Sequence, residues 1–80
     1  MHLEIITPDK KVFAGEANAV TLPGSEGQFQ VLNRHAPLVS TLGKGDVVVE
    51  AGGVKQSYLI DGGVVEVLNN NVLVLAEAVL

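Results

Sequence analysis

The 80-residue sequence has no cysteine and no tryptophan, and only one tyrosine and two phenylalanines. Without thiols there is no disulfide framework and no thiolate metal site, so apolar packing and hydrogen bonding alone must hold the chain together. A reducing compartment is compatible with this. The aromatic share is 4% and the formal net charge is −4. Both features a nucleic-acid binder needs, a basic surface for phosphates and rings for stacking bases, are therefore missing. Long apolar runs are absent too. The longest, "VLVLA" at Val72 to Ala76, is far too short to span a bilayer, and the opening "MHLEII" lacks the basic run and long apolar segment of a secretory signal. A soluble chain with no direct bilayer insertion is expected.

What is present is a high apolar content, 48% of residues, with fourteen valines. A chain of this length forms one domain with a thin core, because a slightly smaller domain still exposes roughly 40% of its unfolded area. Valine's restricted χ1 suits a pleated surface better than a helix, and period two dominates wherever a period is visible. "DVVVEAGGVKQSYLI" reads as two strands joined at Gly52 and Gly53, which accept the positive φ of a tight turn. "GGVVEVLNNNVLVLAEA" repeats the plan, Gly62 and Gly63 opening a strand and Asn69, Asn70 and Asn71 turning it. In the closing strand Leu73, Leu75 and Glu77 share one face, and Val72, Val74, Ala76 and Ala78 the other. Both faces are largely apolar. "HLEIIT", "KVFAGE", "ANAVTLP", "GQFQVL" and "PLVSTL" are shorter strands punctuated by Gly, Pro and Asn, with no helix long enough to cross between parallel strands. The expectation is all-β: an antiparallel β-sandwich, or flattened barrel, of about ten short strands filling residues 1–80 as one domain.

The polar residues carry little catalytic signal. Ser25, His35 and Asp46 supply the residue types of a nucleophile, base and orienting acid, but no nucleophile-elbow glycine pattern surrounds Ser25. His2 and His35 lie far apart, and neither has a second ligand at metal-binding spacing beyond stray carboxylates. The glycines around Ser25 do not make a phosphate cradle either, since Gly27 is followed by Gln28 and a strand-like run, with no Lys and no helix. No catalytic residue, metal or cofactor is expected. "PGSEG" by itself reads as a surface turn.

One stretch stands apart. "LPGSEGQFQVLNRHAPL", Leu22 to Leu38, crowds glycines, an acid, two glutamines, a base and a histidine between apolar runs. Strands apolar on both faces also leave more nonpolar area than one core can cover, which calls for a partner. That stretch, followed by "TLGKGDVVV" and later "YLIDGGVVEVLNNNVLVLAEAV", resembles the epsilon subunit of the F-type ATP synthase. In that family a run of the type "PGxxGxFGVLPxHAPL" recurs, then a "GG-x-x-EV" strand and a closing "V-x-VLA-x-A".

The resemblance implies a ten-stranded β-sandwich at the foot of the central stalk. It would be a non-catalytic rotor part coupling rotation of the c-subunit ring to the gamma subunit, and only indirectly to the alpha/beta catalytic head. The location implied is the cytoplasmic face of a bacterial plasma membrane, as a peripheral subunit. By motif position Ser25, Glu26, Gly27 and Gln28 would look toward the c ring, and Thr7, His35 and Ser40 would lie against gamma. Three positions depart from the pattern: Gln30 for Gly, Asn33 for Pro, and Gln28 for an acid, which leaves Glu26 as the anion of the turn. The family typically continues into a helical hairpin that regulates hydrolysis and in some cases binds ATP. This chain stops at Leu80, so no nucleotide binding is expected, and "LIDGG" is read as a turn. The alternative is a free-standing β-sandwich binding a small ligand or peptide, with Leu22 to Leu38 as its mouth.

Overall fold

The computed structural model describes residues Met1–Leu80. Seven strands follow one another: β1 (His2–Ile6), β2 (Lys11–Glu16), β3 (Ala19–Gly24), β4 (Gly27–Leu32), β5 (Leu38–Ala51), β6 (Val54–Leu68) and β7 (Asn71–Ala76). They form one sheet in the order β2, β1, β7, β6, β5, β3, β4. The two-residue turns read from the sequence are there for the expected reason. Gly52 and Gly53 sit at φ 57° and 78°, and Asn69 and Asn70 at 51° and 60°, the paired positive angles that match the twist of a hairpin. Asn71 is already in β7 rather than in the turn.

The all-β class holds, but the strands are fewer and longer than about ten. "PLVSTL" and "DVVVEA" merge into the 14-residue β5, and "VKQSYLI" and "GGVVEVL" into the 15-residue β6. Their pairing keeps one register from Leu38 with Val67 to Ala51 with Val54. Between the pairs Leu42–Gly63 and Lys44–Asp61, Gly43 stands opposite Gly62, so the glycines bend the ladder without breaking it. "LIDGG" accordingly lies inside β6, at this bend, and not in a turn. The arrangement is also not wholly antiparallel, because β1 lies parallel to β7. β1 enters the sheet between β2 and β7, the last strand.

The bend converts one sheet into two layers. The first comprises β2, β1, β7, the C-terminal half of β6 and the N-terminal half of β5. The second comprises β4, β3 and the remaining halves of β5 and β6. At the bend both long strands exchange faces. Inward positions run from even to odd numbers between Leu42 and Gly43 on β5, and between Gly62 and Gly63 on β6. Two successive residues with φ of 121° and 154°, Gly62 and Gly63, make that exchange possible, since side chains are strained at such angles. Gly63 has a second constraint: a Cβ there would lie 2.2 Å from the Leu75 carbonyl oxygen of the neighbouring strand.

Between the layers Leu3, Ile5, Val20, Leu22, Val31, Val47, Val49, Ile60, Val65 and Val74 are fully buried. Each contributes roughly 1.5–3 kcal/mol relative to exposure. The Met1 ammonium donates to the Ala17 carbonyl at 3.1 Å and to Asn33 Oδ1, joining the β2–β3 connection to the β4–β5 loop.

Replacing Gly63 by Ala combines strained φ with a backbone clash and is expected to cost about 3 kcal/mol or more. Asn at Gly52, where a Cβ meets nothing within 4 Å, should change stability by roughly 1 kcal/mol or less, since Asn accepts the left-handed region. Urea unfolding of the two variants beside the wild type checks both.

Candidate functional site

The turn singled out in the sequence closes β3 on β4. Gly24 pairs with Gly27, leaving Ser25 and Glu26 at its tip, and Ser25, Glu26, Gly27 and Gln28 are all exposed. The turn is fastened to the bend of the other long strand, because the Ser25 amide donates to the Thr41 carbonyl at 3.0 Å. Gly45 allows that approach: a Cβ there would lie 2.7 Å from Pro23 Cβ. His35 lies at the opposite end of the six-residue β4, about 20 Å away at a strand's rise. Leu22 to Leu38 therefore does not converge into one mouth.

The catalytic set does not assemble either. His35 Nδ1 donates to the Ala36 carbonyl at 2.7 Å, and Asp46 lies on the outer side of the second layer. Thr7, 9% exposed, closes the β1–β2 turn. Its amide and hydroxyl donate to the Lys10 carbonyl at 2.9 and 3.2 Å, and its hydroxyl accepts from the Lys10 amide at 3.2 Å. Ser40 lies on β5, half-buried, with its hydroxyl donating to the Thr41 carbonyl. Thr7, Ser40 and His35 thus do not touch. They occupy three separate borders of the first layer: beyond the end of β1, along the edge strand β5, and in the loop entering β5.

What lies between those borders is the outer face of the first layer, and the registers specify it. One row crosses the strands as Thr41, Val64, Leu75, Ile6 and Lys11, and the next as Val39, Glu66, Leu73, Glu4 and Ala14. Val39 is 69% exposed, Leu75 49% and Leu68, at the end of the patch, 49%. One shallow hollow is formed by Ile6, Thr7, Val64 and Leu75, and a second by His2, Glu4, Glu66, Leu68 and Leu73. The outer face of the second layer is more polar, carrying Thr21, Gln28, Gln30, Asp46, Glu50, Lys55 and Ser57, with Val48, Leu32 and Leu59 dispersed among them. A contiguous apolar patch on one side of a small domain marks a contact surface. The sequence signal for it was the second apolar face of the closing strand, Leu73 with Leu75. What could not be read there was the face exchange that brings Val39 and Val64 to the same side.

At the far border of this face a charge cluster joins β1 to β2. Glu4 faces His2 Nε2 at 3.1 Å and Lys11 Nζ at 3.4 Å, while His2 Nδ1 faces Glu16 at 3.4 Å. The His2 hydrogen bond first, then the Lys11 hydrogen bond and charge, hold the Glu4 carboxyl below its ordinary value of 4.5. A lowered folded pKa gives a stabilising contribution that is complete above the unfolded pKa and disappears as pH falls through the folded one.

Comparisons with known proteins agree with this architecture. A family model described as the β-sandwich domain of the ATP synthase delta/epsilon chain matches residues 1–80. The ATP synthase epsilon chain of Bradyrhizobium sp. (strain BTAi1) is 41% identical over 76 residues, 95% of this chain and 56% of that protein. The epsilon chain of Nitratidesulfovibrio vulgaris (strain DP4) is 44% identical over 78 residues, 98% and 58% of the two. The chain thus spans somewhat more than half the length of these relatives. Among solved structures, a chain of the Euglena gracilis mitochondrial ATP synthase, in an OSCP/F1/c-ring assembly, superposes with a TM-score of 0.90 at 30% identity, covering 98% of this chain and 51% of that one. A chain of the Tetrahymena thermophila mitochondrial ATP synthase, from its central stalk and c-ring, shares the fold with a TM-score of 0.85 at 17% identity, covering 99% and 64%.

Glu4→Gln is expected to lower stability near neutral pH and to converge with the wild type as acid protonates Glu4. Thermal melts of both proteins from pH 7 down to pH 3 test this, and a constant gap across the series would contradict it.

Proposed function

The chain belongs to the β-sandwich family of the ATP synthase delta and epsilon chains, and from that membership we propose that it is a rotor part of the central stalk. In this reading it couples the c-subunit ring to the gamma subunit and performs no catalysis itself. The observation that carries the reading is the clustered apolar face, with Val39, Val64, Leu68, Leu73, Leu75 and Ile6 on the outside of the first layer. The gamma subunit covers this face, and Thr7, Ser40 and His35 mark its rim. The β3–β4 turn, Ser25 to Gln28, meets the polar loops of the c ring, with Glu26 as its anion.

The division of labour follows from magnitudes. An exposed ion pair at Glu26 is worth about 0–1 kcal/mol, too little to retain a part under torque. A stable interface buries on the order of 1,200–2,000 Å2, and at roughly 25 cal/mol per Å2 its apolar part far exceeds one surface pair before ordering costs. The apolar face therefore carries the load and the turn sets orientation. As a peripheral subunit the protein reaches the membrane through the ring, and no helix of the structure is long and apolar enough to cross a bilayer.

Binding of the chain to gamma, measured by calorimetry or pull-down, tests the reading. Leu75→Asp and Val64→Asp place an unpaired charge in the desolvated centre, and His35→Asp and Ser40→Arg place one at the border. The central pair should each weaken association by about 2–5 kcal/mol, the rim pair by less, while circular dichroism stays unchanged. Unaltered binding by both central variants would remove the first-layer face from the interface.

A further inference from the structure

Four carboxylates stand on or beside the outer face of the first layer: Glu77 lies at its margin, beyond the end of β7, and the other three differ in what surrounds them. Glu4 has His2 and Lys11 within ion-pairing distance. Glu16 has His2 at 3.4 Å and the Met1 ammonium at 3.9 Å. Glu66 has no cation within 4.0 Å and no hydrogen-bond donor. Its position is also the least favourable for a charge about to be covered. Its cross-strand neighbours are Val39 and Leu73, and along its own strand the same face presents Val64 and Leu68. A carboxylate in the middle of an apolar patch is content while water reaches it. Once a partner excludes that water, an uncompensated charge costs several kcal/mol, enough to cancel much of what the surrounding side chains contribute.

From this arrangement we infer that the partner covering the first-layer face brings a cation to Glu66, and that this pairing sets the register and selectivity of docking. The inference rests on the docking reading proposed above. The hollow beside Glu66 also presents Glu4, with Leu68 and Leu73 at its sides, and accommodates a long basic side chain whose methylenes lie on the leucines. A guanidinium suits the site better than an ammonium, because it engages a carboxylate through two parallel hydrogen bonds and is easier to desolvate. The partner surface is thus an apolar ridge interrupted by a single Arg or Lys, rather than an uninterrupted apolar strip. A wholly apolar surface would be rejected at Glu66, which makes the residue a filter as well as a contact.

The test compares gamma binding by the wild type, Glu66→Gln, Glu66→Leu and Glu66→Arg, with Glu50→Gln on the opposite face as control. A paired Glu66 predicts that Gln and Leu each weaken binding by roughly 30-fold or more, because the partner's cation loses its counter-charge. It also predicts that Arg abolishes binding, and that changing one basic residue of gamma to Glu restores affinity for Glu66→Arg. Glu50→Gln should bind like the wild type, and all variants should melt alike, since Glu66 is exposed in the free chain. Equal or tighter binding by Glu66→Leu, with Leu75→Asp still defective, overturns the cation pairing and leaves the docking face standing. No binding by the wild type, or no effect from any substitution on the face, removes both.

Discussion

A single constraint underlies the architecture: a sheet that must cover its own inner face needs a place where two paired strands can turn together without losing their ladder. Gly43 opposite Gly62, with Gly63 beside them, provides it. Any side chain at Gly63 would meet the backbone of β7, so the bend and the packing of the third strand are fixed by one atom's absence. Because the register persists through the bend, the two layers are halves of one hydrogen-bonded structure instead of two sheets held by side chains alone. A thin core is sufficient under those conditions. Most of the alignment that a larger sandwich obtains from interdigitated side chains is set here by the backbone.

The bend also decides which residues the outside receives. Exchanging inward and outward positions on both long strands places Val39 and Val64 on the outside of the first layer, while Val47, Val49 and Val65 go inside. The result is a domain with one clustered apolar side and one more polar side. Glu4 and Glu16 have basic partners in the cluster with His2, Lys11 and the Met1 ammonium, Glu77 lies at the margin, and Glu66 stands unpaired among apolar side chains.

Much of the fold was legible where a local rule decides it. The turns at Gly52–Gly53 and Asn69–Asn70 were visible because few residues accept positive φ, and strand character was visible because valine dominates. The bend was not. Gly62 and Gly63 read as a strand boundary, since glycine pairs usually end a strand, and the alternation of Leu42 against Val47 looks like two strands out of phase. The parallel pairing of β1 with β7 was equally hidden, because it joins the two ends of the chain through registers that no short window contains. For the site, the β3–β4 turn was read correctly as an exposed tip. The apolar face was only half visible: Leu73 and Leu75 announced a second greasy side, but the partners they acquire depend on the exchange at the bend. Glu66 could not be distinguished from any other exposed acid until its neighbours were known.

The place of β1, between β2 and the final strand, bears on how the chain comes into being on the ribosome. The second layer needs only residues up to the end of β6's first half and can assemble while synthesis continues. The first layer cannot: β1 has no neighbour on its inner side until β7 emerges, some seventy residues after it was made. Through that interval β1 and β2 form an isolated hairpin, marginal in water on its own, with Leu3 and Ile5 uncovered. The late, long-range closure puts this protein among slow-folding topologies.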